Sequence, residues 1–101
     1  MSLVWKSKPT FDVGTEAELA YYLRALAHPA RVRLFRSILE RRESRCGDLA
    51  GEVPLAQSTV SEHLRVLKAA GLIDCRVEGP RRFYRARSEA LDRLRRLLRG
   101  I

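Results

Sequence analysis

The sequence predicts a mainly helical domain carrying one β-hairpin, and three observations support that prediction. Apolar residues recur at helical spacing through most of residues 15–70 and again from residue 88 onward. Between these stretches the period drops to two on either side of Gly79-Pro80. The 101 residues give room for one domain, and 46% hydrophobic with 32% charged residues is the balance of a folded chain rather than a disordered basic tail.

Residues 1–14, with Pro9, Gly14 and the only tryptophan, Trp5, show no periodicity and read as an arm outside the core. Thr15 is expected to cap a first helix ending near His28. Glu16 and Glu18 suit its positive end, and Leu19, Tyr22, Leu23 and Leu26 form its apolar face. Pro29 suits the first turn of a second helix over residues 29–42, with Val32, Leu34, Phe35, Ile38 and Leu39 on a broad apolar face. A short third helix reads from Gly47 to Val53 and is closed by Pro54. After the turn Pro54-Leu55-Ala56, a fourth helix runs from Gln57 to Ala70, with Val60, Leu64 and Leu67 inward and Gly71 as its stop.

Two helices around so tight a turn form a helix-turn-helix unit. Leu72 to Val77 and Arg82 to Ala86 then flank Glu78-Gly79-Pro80-Arg81 as strand, turn and strand. Ser88 is expected to cap a last helix with Leu91, Leu94, Leu97, Leu98 and Ile101 as its stripe. The order α-α-α-α-β-β-α over residues 15–101 outlines a winged helix-turn-helix domain with an extra helix at each end. Both terminal helices, 15–28 and 88–101, are amphipathic on a domain that buries only about two thirds of its unfolded surface. A two-fold dimer built from them is therefore expected, with Tyr21, Tyr22 and the last stripe serving as core or as subunit interface.

Twenty Lys and Arg against twelve Asp and Glu give a formal charge of +8, and +6 of it falls in residues 76–101, which hold nine arginines and three acids. That asymmetry points to a polyanion, most simply nucleic acid. No apolar run approaches the roughly 20 residues of a membrane span, and the first residues lack the apolar stretch of a secretory signal. A cytoplasmic protein without a membrane partner is expected. An enzyme is disfavoured, because His28 and His63 accompany no nucleophile pattern and neither paired carboxylates nor a Gly-rich phosphate loop occurs.

On a 100° wheel with Val60 at the core, Ser58, Glu62 and Arg65 fall on the opposite side of the fourth helix, with Thr59 and Ser61 on its flanks. Hydroxyls both donate and accept, Gln57 can pair bidentately with adenine, and Arg65 can pair with guanine or a phosphate. The start of such a helix is the part that enters a major groove, so Gln57, Ser58, Thr59, Ser61, Glu62 and Arg65 are the candidate DNA readers. Arg81 and Arg82 beside Gly79-Pro80 form a basic wing tip able to reach phosphates or a minor groove. The bland alternatives are a solvated helix start and an ordinary charged hairpin. His63 lies nearer the core side and reads as a partly buried histidine, and the arginines of the last helix read as a solvated face.

At Ala25-Leu26-Ala27-His28-Pro29-Ala30-Arg31-Val32-Arg33-Leu34 and again from Gln57 to Leu72 (QSTVSEHLRVLKAAGL), the chain resembles the ArsR/SmtB family of bacterial transcriptional repressors. The likeness runs from about residue 17 to 87. It implies a homodimeric winged-helix repressor that binds a palindromic operator and releases it when an inducer, often a metal or metalloid ion, binds. The chain departs from the family where metal-sensing members carry two cysteines flanking one residue before Asp-Leu: Arg45-Cys46-Gly47-Asp48-Leu49 replaces both ligands and leaves Cys46 between them. Residues 88–101 contain no His or Cys for the other common metal site. Glu62 stands where many members have a neutral or basic residue, and Ala56 where a serine often caps the helix.

Cys46 and Cys75 are too few for a disulfide scaffold or for the four ligands of a zinc site, so neither a metal site nor a cofactor is expected. Two readings stay open for them. They are candidate inducer thiols, binding arsenic(III) or forming a redox-linked disulfide within or between subunits, or they are small packing residues. Two alternatives to an inducible repressor also stay open: a metal-independent regulator and a small basic adaptor that docks an acidic protein.

Overall fold

The computed structural model describes residues 14–101, so the arm read over residues 1–14 lies, apart from Gly14, outside the described residues. The chain runs α1 (Thr15–Ala25), α2 (Pro29–Leu39), β1 (Ser44–Arg45), α3 (Cys46–Ala50), α4 (Gln57–Ala69), β2 (Ile73–Glu78), β3 (Arg81–Ala86) and α5 (Ser88–Arg99). This is the predicted order with one addition. Strand β1, two residues long, pairs antiparallel with β3 and makes the sheet three-stranded in the order β1-β3-β2. Two residues carry no alternation, so no period-two signal marks it.

Each helix terminus has a physical cause. Gly14, rather than Thr15, is the cap of α1: its carbonyl takes the first helical bond from Glu18 N at 2.9 Å, which places the Thr15 hydroxyl inside the first turn with no capping role. The same one-residue displacement makes Ser88 the first residue of α5, with Arg87 O receiving Ala90 N and no side chain capping. Helix α1 ends at Ala25 rather than near His28, because His28 caps α2: its Nδ1 accepts the Ala30 N–H at 3.1 Å, with Pro29 in the first turn. Helix α2 stops at Leu39, before residue 42, so that the chain can turn and pair Ser44 and Arg45 with Tyr84 and Phe83. Helix α3 starts and ends earlier than its sequence pattern indicates, at Cys46 and Ala50.

Helix α4 ends in a Schellman motif. Gly71 at φ +81° donates to Lys68 O and Leu72 to Leu67 O, and Leu72 is fully buried beneath the turn. The hairpin is tighter than the sequence indicates. Glu78 and Arg81 pair across it, leaving only Gly79-Pro80 as the loop, and Gly79 at φ +60° occupies the position a type II′ turn reserves for glycine.

One core joins all the helices to the sheet. Leu34 and Ile38 of α2, Leu49 of α3, and Val60, Leu64 and Leu67 of α4 are fully buried together with Leu72 and Ile73 at the entry to β2. Tyr22 and Ala25 of α1 and Ala90, Leu94 and Leu97 of α5 complete it. Away from the sheet, α1 and α5 are clasped by Arg93, whose Nη2 and Nε reach Glu18 Oε1 at 2.6 and 3.0 Å. The segment between α3 and α4 is held onto α2 through Glu52, whose carboxylate accepts from Ser37 at 2.9 Å and Arg41 at 2.6 Å, and whose carbonyl accepts from Arg33. No described helix is long and apolar enough to cross a membrane.

Candidate nucleic-acid interface

Burying Val60, Leu64 and Leu67 against α2 and α3 turns the opposite side of α4 to solvent. Ser58, Thr59, Ser61, Glu62 and Arg65 are all exposed there, as their wheel positions predict, and Gln57 is exposed at the start of the helix. No side chain caps the helix at Ala56, in keeping with the serine missing at that position. The β2–β3 hairpin projects beside this face. Between them lies an open cleft of about 470 Å³, lined by Gln57 and Ser61 of α4, by Pro80, Arg81 and Arg82 of the hairpin, and by Arg45, Cys46, Gly47 and Asp48 at the start of α3.

The structure thus brings four of the eight candidate DNA readers to one cleft: Gln57, Ser61, Arg81 and Arg82. Ser58, Thr59, Glu62 and Arg65 lie outside its lining, farther around α4. Glu62 and Arg65 are not independent, because Arg65 donates Nε and Nη2 to the two Glu62 oxygens at 3.0 and 2.6 Å. That pairing holds the Glu62 carboxyl below its usual range and raises the guanidinium. Arg65 is therefore presented as part of a charge pair, and a partner that needs Glu62 to accept must first compete with it.

The hairpin divides its own arginines in two. Arg76 is bound by Glu43 and Glu78 and lies over the Phe83 ring at 4.5 Å; Arg85 and Arg87 lie within salt-bridge distance of Asp74. Among the described residues Arg81 and Arg82 have no acidic partner, so the tip carries the uncompensated charge. Arg45, also at the cleft, carries no sequence signal; it belongs to β1, which has none, and it pairs loosely with Asp48 at 3.5 Å. His63 is buried at 7% exposure, as expected of a core-side histidine, and belongs to the support of α4 rather than to its outer face.

The two thiols sit on either flank of β3. Ser44 on β1 and Cys75 on β2 both oppose Tyr84, so two strand spacings, about 10 Å, separate Cys75 from the strand that leads into Cys46. Burial, with Cys75 and then Cys46 nearby, pushes the Tyr84 hydroxyl up to about 12. Cys46 is half-buried, its sulfur 3.5 Å from the Ser61 hydroxyl on α4. Among the described residues no three His, Cys, Asp or Glu side chains converge in a way that could hold a metal ion.

A buried helix-turn-helix pair, an exposed polar recognition face and a basic hairpin beside it invite comparison with known DNA-binding domains. The helix-turn-helix domain family matches residues 26–76. The biofilm growth-associated repressor of Agrobacterium fabrum (strain C58 / ATCC 33970) is 38% identical over 84 residues, which are 83% of this chain and 71% of the repressor. The chain belongs to the ArsR/SmtB family of winged helix-turn-helix transcriptional repressors. An ArsR-like transcriptional regulator from Rhodococcus sp. RHA1 superposes with a TM-score of 0.74 at 30% identity, over 87% of this chain and 82% of that one. A crystal structure of a possible transcriptional regulator for arsenical resistance superposes with a TM-score of 0.72 at 37% identity, covering 78% and 81%. The chain spans from 50% to 71% of the lengths of the curated relatives it matches. As a member of this family it is a DNA-binding transcriptional regulator, and the family is one of regulators rather than enzymes.

Proposed function

We propose that the chain is a homodimeric repressor that reads a palindromic operator in the cytoplasm. The observation that carries this reading is the shared cleft, where hydrogen-bonding side chains of α4, Gln57 and Ser61, stand beside the two wing arginines, Arg81 and Arg82. In this reading Gln57, Ser58, Thr59, Ser61, Glu62 and Arg65 face base edges, while Arg81 and Arg82 contact phosphates or the adjacent minor groove. The α1 and α5 region supplies the subunit interface: Leu23, Leu98 and Ile101 are 43%, 45% and 88% exposed there, an apolar surface that a second copy would cover. A two-fold dimer requires half-sites about 34–36 Å apart, or a multiple of that spacing.

Fluorescence anisotropy on DNA from upstream of the gene tests the proposal. A palindrome from that region should compete far better than scrambled DNA of equal length. Equal competition overturns it.

For the inducer, we propose arsenic(III) or a thiol-redox signal acting at Cys46, with Cys75 as the second candidate thiol. Cys46 lines the DNA-facing cleft beside Ser61, so a group added to its sulfur would enter the space assigned to DNA. Arsenic(III) should release the operator from the native protein and leave the Cys46→Ser, Cys75→Ser protein bound. Release that survives both substitutions sinks the thiol reading and leaves operator binding intact.

A further inference from the structure

Behind its exposed face, α4 is fastened by a polar cluster that the cleft does not use. Arg31 in the first turn of α2 donates Nε to His63 Nδ1 of α4 at 3.1 Å. Its Nη1 donates to Ala25 O at 3.3 Å and Arg24 O at 3.5 Å, so one guanidinium ties the end of α1, the start of α2 and the middle of α4. The His28 ring lies against the His63 ring with centroids 4.3 Å apart. His28 Nδ1 meanwhile accepts the Ala30 N–H as the cap of α2.

His63 therefore accepts through Nδ1, which a ring can do only when it is neutral with its proton on Nε2. A proton on His63 removes the acceptor from Arg31 and sets a second positive charge against it. The His63 ring is almost fully buried, so solvent offers it little in place of that bond. We propose that Arg31 and His63 are positioning residues for the DNA-reading helix, and that protonation of His63 releases α4 from α2 and weakens operator binding.

The groups facing His63 set the sign. His28 and Arg31 come from the start of α2; Glu62 comes from α4 itself, with its carboxylate already taken by Arg65; α1 contributes backbone carbonyls to Arg31. Burial, then His28 and Arg31, hold the His63 imidazole below its ordinary value of 6.5 against the weaker opposing pull of Glu62. The ring is thus neutral at pH 7 and takes its proton on acidification. Ser61, Glu62 and Arg65 lie within one turn of it, so a displaced His63 shifts the reading face directly. Simple electrostatics predicts the reverse trend, because added positive charge strengthens attraction to DNA.

The proposal rests on α4 reading DNA. Operator affinity is to be measured between pH 7.5 and 5.5 at fixed salt for the native protein and for His28→Asn, His63→Asn, in which each amide oxygen replaces the Nδ1 acceptor without titrating. The native affinity should fall severalfold and the variant's by clearly less. A native profile that stays flat or rises overturns the proposal, as does an equal fall in the variant. A native protein that binds no upstream DNA at pH 7.5 sinks the reading of α4 and the positioning role with it. Operator binding abolished by α4 substitutions but indifferent to pH sinks the positioning role alone. Imidazole nitrogen NMR on the unbound native protein gives an independent check: the His63 Nδ1 should be an unprotonated acceptor at pH 7.5, and α4 amide signals should follow the His63 titration. An ordinary His63 titration that leaves α4 unmoved overturns the proposal.

Discussion

Helices α4 and α5 look alike as patterns and differ in what their outer faces can do. Each buries a leucine-rich stripe in the common core: Leu64 and Leu67 from α4, Leu94 and Leu97 from α5. Outside, α4 shows an amide, three hydroxyls and one Glu–Arg pair beside the basic hairpin tip. The outer face of α5 shows Asp92, Arg95, Arg96 and Arg99, with Arg93 bound to Glu18. Bases are distinguished by mixed donors and acceptors, whereas guanidinium groups only donate. The +6 of the C-terminal quarter therefore supplies attraction to a polyanion without marking where sequence is read, whereas the mixed donors and acceptors lie on the outer face of α4.

The largest expected effect separates the two outer faces. Replacing Ser58, Thr59 and Arg65 together with Ala should weaken operator binding by about a hundredfold, the loss expected from about 3 kcal/mol spread over the three contacts, when one good bidentate base pair alone is worth about 1–3 kcal/mol. Binding to scrambled DNA, measured by the same anisotropy assay, should fall much less. A protein that acts as an adaptor instead would keep its partner. Fold should be unaffected, because all three side chains are exposed. On α5 the large effect lies on the inner face. Leu94→Ala should cost about 2–5 kcal/mol of stability, read as a lowered urea midpoint, because Leu94 is 5% exposed within the shared core.

The wing should give an intermediate result. Arg81→Ala, Arg82→Ala removes the two tip cations with no acidic partner among the described residues. It should weaken binding about tenfold and lower the slope of log affinity against log salt by about 2, at close to one unit for each phosphate no longer neutralised. An unchanged slope would show the tip to be an ordinary solvated hairpin.

Most of the fold is legible in the sequence because each long element has a period and a stop. Gly71 and the Val60, Leu64, Leu67 stripe place α4 to within a residue, and Gly79-Pro80 announces the hairpin. The failures are local. A Thr or Ser at a helix start does not say whether it is the cap or the first residue, and Thr15 and Ser88 are each one position from the expected role for that reason. A two-residue strand such as Ser44–Arg45 exists only through its partners Tyr84 and Phe83, so neither it nor Arg45 at the cleft can be read from pattern. The exposed polar face of α4 follows from the helical wheel. The Glu62–Arg65 pairing and the Arg31–His63–His28 cluster do not, because they depend on rotamers and on how α2 crosses α4.

Stability should carry a mark of that cluster as well. The His63 pKa is lowered in the folded protein, so the unfolded chain takes up the proton first as pH falls. The stabilisation from the neutral ring is complete above the ordinary imidazole value of about 6.5 and declines as pH falls through the window beneath it. Urea midpoints should drop across that window in the native protein and stay level for His63→Asn. Equal drops in both would assign the effect to other groups.

The smallest expected effect is the sharpest test of the difference between the two helices. Arg95, Arg96 and Arg99 replaced together by Gln remove three charges from α5, one more than the wing double variant removes. If charge alone drove recognition, operator affinity should fall further than it does for Arg81 and Arg82. Because these side chains lie on a helix clasped to α1, away from the cleft, we expect less than about a threefold loss, equal for operator and scrambled DNA, from the weakened long-range field alone. A larger loss confined to the operator would place α5 in the reading surface and erase the distinction between the two helices.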